Sequence, residues 1–93
     1  MKTKEIVTLQ RSLLVDTEKL LNKQVEMEGT SSAYYLSMAS WCHMMGYENA
    51  ANYLYTHADE ERMHMMKIFR YINEAGGHAF QPEIKDIRHN FNS

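Results

Sequence analysis

The chain has 93 residues, of which 44% are hydrophobic and 24% charged, with one cysteine, a formal net charge of −2 and a pI near 6.2. These values exclude several domains, a disordered chain, an internal disulfide framework and the basic footprint of a nucleic-acid binder. A core this small is marginal unless a metal or a partner chain supplements it.

Residues 1–15 read as an N-terminal extension whose stretch EIVTLQRSLLV forms a short helix or stays partly ordered. The opening MKTKEIVTLQ carries no long apolar run and no cleavage pattern, so no signal peptide and no membrane span are expected. With Cys42 as the lone cysteine, the expected location is the reducing cytoplasm. The rest of the chain is rich in Leu, Met, Ala, Glu and Lys, which favour helix. Its single proline is Pro82, and three of its four glycines, Gly46, Gly76 and Gly77, stand near expected helix ends, with Gly29 the exception. The expected fold class is all-α.

From Asp16, a candidate N-cap, a long helix is expected over Thr17–Met45, stopped by Gly46. A second helix starts near Glu48 or Asn49, capped by Asn49 or Asn52, and ends at AGG, residues 75–77. The short connection makes residues 16–75 an antiparallel hairpin. Residues 76–93, HAFQPEIKDIRHNFNS with its leading glycines, have no sustained period and read as an extended tail or crossover.

Both helices carry an apolar stripe at helical spacing. On the first it runs through Leu21, Val25, Ser32, Tyr35, Ala39 and Cys42, with Glu28 in its middle. On the second it runs through Ala50, Leu54, Ala58, Met65, Ile68 and Ile72, interrupted by His57, Glu61 and His64. Measured from Tyr47 at about 1.5 Å per residue, Glu28 stands about 28 Å along the first helix, and Glu61 and His64 about 21 and 26 Å along the second. An antiparallel hairpin therefore brings the three to one level. Two carboxylates converging there repel unless a proton or a metal cation lies between them. Glu with Glu-x-x-His at one level of a bundle is half of a carboxylate-bridged dimetal site, and these ligand types suit iron or manganese better than structural zinc.

The remaining candidates have simpler readings. Tyr35 is an aromatic core residue whose hydroxyl needs a partner when buried, and a metal-bound carboxylate serves as one. His57, four residues before Glu61, reads as packing beside the site. Trp41 and Cys42 read as packing, the HMMG and MHMMK clusters as methionine filler rather than a copper site, and His78 and His89 as solvated.

The stretches LNKQVEMEGTSSAYYLSMASW and HADEERMHMMKIFRYINEAGG resemble the bacterial type of non-haem ferritin over roughly Leu20–Gly77, the first two helices of that four-helix bundle. The resemblance implies Glu28 as the first-helix iron ligand, Glu61 as a bridging carboxylate, His64 as a nitrogen ligand, Tyr35 beside the centre and Glu60 near it. It implies ferroxidase chemistry, in which dioxygen oxidises Fe(II) at two iron positions, in the service of iron storage in a shell of many subunits. Three features depart from the family pattern. The chain has about half a subunit's length and ends in what resembles the crossover. Met63 and Met66 stand where some ferritins carry extra acidic residues. Arg62 stands where haem-binding relatives have methionine, so no haem is expected.

Self-association of two hairpins, or a larger homo-oligomer, would supply the full ligand list and cover the apolar stripes. The rival expectations are a ferritin-derived helical fragment or interaction hairpin without a complete site, and another di-iron activity such as peroxide reduction.

Overall fold

The computed structural model describes residues 3–92, with side chains described from Val15 onward. Helix α1 spans Thr3–Met44 and helix α2 spans Glu48–Glu74, and the two pack against each other. The expected all-α hairpin is present, and no strand occurs among the described residues.

Both helices end in the same way. Gly46 and Gly76 have φ of 87° and 92°, in the left-handed region that glycine adopts without a Cβ penalty. At the first end Tyr47 N–H donates to the Cys42 carbonyl at 2.8 Å and Gly46 N–H to that of His43 at 3.2 Å. At the second, Gly77 N–H donates to Ile72 at 2.9 Å and Gly76 N–H to Asn73 at 3.1 Å. These paired bonds are Schellman closures, which satisfy carbonyls the helix leaves open.

Two expectations about helix starts are corrected. Asp16 is not an N-cap, because α1 is continuous through it from Thr3; no glycine or proline stands near it to break the helix, and Leu14, Glu18, Lys19 and Leu20 on its two sides favour helix. Neither Asn49 nor Asn52 caps α2, whose N-cap is Tyr47 with no side-chain cap. The Schellman turn delivers the chain directly into α2, and Ala51 N–H bonds the Tyr47 carbonyl at 2.9 Å without help from a polar side chain.

The seam between the helices repeats every seven residues. On α2 the buried residues are Ala51, Ala58, Met65 and Ile72. On α1, Val25 and Ala39 are completely buried, and Ser32 lies midway between them. A strict seven-residue repeat is the register of left-handed helix pairing. Ala51, not the expected Ala50, takes the first inward place. Toward the turn the seam is made of small residues, and there the Ser32 hydroxyl donates to the Ala58 carbonyl at 2.8 Å. Toward the open end Val25, Met65, Ile72 and Ala79 form the core, with Leu21, Ile68 and Phe69 packed against it.

The tail after α2 is ordered against α1 and runs parallel to it. The Asn22 side chain reads the tail backbone twice, donating to the His78 carbonyl at 3.0 Å and accepting from Phe80 N–H at 2.9 Å. Ala79 N–H donates to Asn73 Oδ1 at 3.0 Å. Further along, Ser37 donates to the Arg88 carbonyl, and the Phe91 ring lies 6.1 Å from Tyr34 and 6.0 Å from Trp41. Between these anchors Pro82 and Ile84 cross Gly29. A Cβ there would stand 3.3 Å from Pro82 Cγ, 3.8 Å from Ile84 Cδ1 and 3.1 Å from Met65 Sδ. Gly29 is therefore a point of close approach of α1, α2 and the tail, which accounts for a glycine in mid-helix.

Candidate metal centre

Glu28 lies one residue before that close approach, on the side of α1 away from the tail. Glu61 and His64, three apart on α2, share one face. The structure brings the three together, with one potential ligand atom from each lying within 4.8 Å of the others. They are the one such group of three among the described residues. Glu28 and Glu61 are half-buried and His64 is exposed. The cluster thus sits on the open side of the hairpin rather than inside a closed core.

The two carboxyl groups are not equivalent. Glu61 hydrogen-bonds Glu28, which holds the Glu61 carboxyl above its ordinary value, with desolvation and the Glu28 charge adding to the rise. The same hydrogen bond pulls Glu28 below its ordinary value. One proton held between two carboxyls is the metal-free solution to their repulsion. Gln24, one turn earlier on α1, donates to Glu28 Oε1 at 3.0 Å and also favours its ionised form. Sequence reasoning missed Gln24. Its spacing of four from Glu28 was the available signal.

The flanking residues take the following places. Tyr35 is half-buried, and its ring centroid lies 5.3 Å from that of His57, whose other neighbour is Tyr53 at 4.5 Å. His57 is thus an aromatic packing residue, and its charge is also felt at Glu61. Glu60 is exposed and outside the cluster. Cys42 is half-buried near the turn, far from Glu28 along α1. His78 stacks on Phe80 at 4.5 Å, and His89 Nδ1 lies 3.5 Å from the Ser37 hydroxyl.

The donor set is hard oxygen with one imidazole nitrogen, which fits iron or manganese. The exposed His64 leaves the cluster reachable from solvent. Comparison with known proteins places this geometry in context. Residues 18–93 match the ferritin-like domain family. The chain belongs to that family. It is 44% identical over 75 residues to a probable bacterial non-heme ferritin-like protein of Haemophilus influenzae, covering 81% of this chain and 46% of that protein. It is 40% identical over 75 residues to the bacterial non-heme ferritin of Campylobacter jejuni, covering 81% and 45%. Its fold matches the ferritin of Chlorobium tepidum with a TM-score of 0.75 and 37% identity, covering 82% of this chain and 47% of that one.

The chain therefore spans about half the length of the ferritins it matches. Its two helices correspond to a hairpin of the ferritin-like bundle. No helix among the described residues is long and apolar enough to cross a membrane.

Proposed function

We propose that this chain binds Fe(II) as a substrate in the cytoplasm and oxidises it with dioxygen, as a step in iron storage. The observation that carries this reading is the convergence of Glu28, Glu61 and His64 to within 4.8 Å on a ferritin-like hairpin. Glu61 is assigned the bridging role between two iron positions, with Glu28 and His64 as terminal ligands and Tyr35 adjusting the site. Two Fe(II) ions give two electrons to dioxygen, which leaves with two protons as peroxide. Iron displaces the proton held between the carboxyls, and the oxygen-rich donor set favours the more highly charged ferric product.

The hairpin supplies half of a symmetric dimetal ligand list, which a second copy related by a two-fold axis would complete. Support for a second layer comes from the open side. Leu20 and Met27 on α1 and Tyr53 and Tyr71 on α2 are each more than half exposed, and unpartnered apolar surface of this kind favours association.

Native mass spectrometry with and without anaerobic Fe(II), followed by admission of air, tests the proposal. The expected result is an even-numbered assembly that takes up two irons per pair of chains and develops ferric absorbance, with uptake abolished in Glu61→Ala. A protein that stays metal-free at every order of assembly is instead a ferritin-derived interaction hairpin. Faster oxidation by peroxide than by dioxygen would assign a peroxide-reducing activity to the same residues.

A further inference from the structure

Among the described residues, Gln24 is the one side chain outside the cluster that hydrogen-bonds a member of it, its amide N–H donating to Glu28 Oε1 at 3.0 Å. The contact follows from the helix. Residues four apart share a face, and helical side chains lean toward the N-terminus, so Glu28 tilts back over the turn that carries Gln24. Such a pair stabilises an exposed helix only slightly. Its place is what sets it apart, because the same carboxyl group meets Glu61 and His64 across the hairpin. Glu28 is thus held from two directions, along its own helix and from the facing one. Glu61 has no such support from outside the cluster among the described residues. Two side chains of one type are therefore unlike in freedom, with one oxygen of Glu28 engaged and both oxygens of Glu61 left to the cluster.

We infer that Gln24 is a positioning residue that makes Glu28 a one-oxygen ligand of a divalent cation, while Glu61 keeps two oxygens to span a pair of cations. The inference rests on the iron reading above and adds to it the number of oxygens each carboxylate gives. The amide N–H draws electron density from Glu28 Oε1 and occupies the side from which a chelated cation would meet that oxygen. The cation is left with Oε2. A carboxylate already tethered at one oxygen also loses less side-chain freedom when the cation arrives. Outer partners of this kind fix the orientation of the ligands they touch. A second copy on the open side would shield the Gln24–Glu28 bond from water, and a lower local dielectric strengthens it.

The test uses Mn(II) as the probe and Gln24→Met as the variant, an exposed change to a side chain of similar length and helix preference that has no donor. Apparent affinity, from titration followed by electron paramagnetic resonance, should fall about tenfold, the lower end of what outer partners of metal ligands are worth. Infrared difference spectra of protein labelled with 13C-glutamate, with and without Mn(II), report how many oxygens bind. The unaltered protein should show a widely split pair of carboxylate stretches, the mark of coordination through one oxygen. In Gln24→Met that pair should draw together as both oxygens of Glu28 bind. A contact that served only the helix would lower the melting temperature slightly and leave both metal readouts as they were. An unchanged splitting or an unchanged affinity in Gln24→Met, or a narrow splitting in the unaltered protein, overturns the inference and leaves the iron reading standing. Failure of the unaltered protein to take up Mn(II) overturns both.

Discussion

Glu28 and Glu61 bring a carboxylate oxygen each to within 4.8 Å across the two helices, and hydrogen bonding between the two groups drives their proton affinities in opposite directions. Glu28, lowered, contributes stability that is present above the ordinary value of 4.5 and is lost as pH falls through its folded value. Glu61, raised, contributes stability that is present below that value and is lost as pH rises through its own folded value. The two windows overlap between the two folded values. The pair's contribution should therefore peak in mildly acidic solution and decline toward neutrality. The melting-temperature difference between the metal-free protein and the Glu28→Gln/Glu61→Gln double variant, followed against pH, checks this. A difference that does not vary with pH would remove the shared proton.

Metal binding at the proposed site should invert that dependence. A cation takes the proton's place, so apparent affinity for Mn(II), a redox-stable probe, should rise with pH through the Glu61 transition, with proton release. Calorimetry in buffers of different ionisation enthalpy reads the released proton directly. Glu61→Gln should lose the binding and the release together.

Gly29→Ala sets two effects against each other. Alanine gains roughly 1 kcal/mol of helix propensity over glycine, whereas overpacking a filled site costs about 1–3 kcal/mol. The new Cβ meets Met65, which is buried, and Pro82, on a tail anchored on both sides. Neither neighbour yields freely, so overpacking wins. A net loss of about 1 kcal/mol is expected in urea unfolding, and the loss caused by Gly29→Ala should shrink when it is measured in a Met65→Ala background. A stabilised Gly29→Ala would show that the tail gives way at this point.

The tail's attachment is tested at Asn22. Asn22→Ala removes both side-chain hydrogen bonds to the tail backbone, each of which is worth about 1 kcal/mol. Trypsin should then cut after Lys85 and Arg88 markedly faster than in the unaltered protein, while cleavage within α2 stays unchanged.

Much of this architecture was legible in the residues. The stop at Gly46, the antiparallel return and the level of Glu28 with Glu61 and His64 all follow from helical rise and spacing. Other features were not legible, for identifiable reasons. Asp16 resembles a cap because its side chain suits that role, but nothing in its neighbours breaks the helix there. Ala50 and Ala51 are chemically identical, and only the seven-residue register of the seam selects Ala51. The tail showed no period because its order comes from backbone contacts to Asn22 and Ser37, which extended chain makes without any apolar pattern. Gln24 was overlooked because a glutamine on a helix surface carries no signal until the group it touches is known.

Gly29 also bears on how the cluster comes apart. The residue beside Glu28 is held at once by Met65 from α2 and by Pro82 and Ile84 from the tail, segments far from it along the chain. The position of that carboxylate is therefore a property of the whole unit. Local fraying of either helix end leaves it in place, whereas any opening that parts the three segments removes it at one stroke. The exchange of backbone amides around Glu28 should then report the global unfolding free energy, and the cluster should survive or vanish with the fold as a single cooperative event.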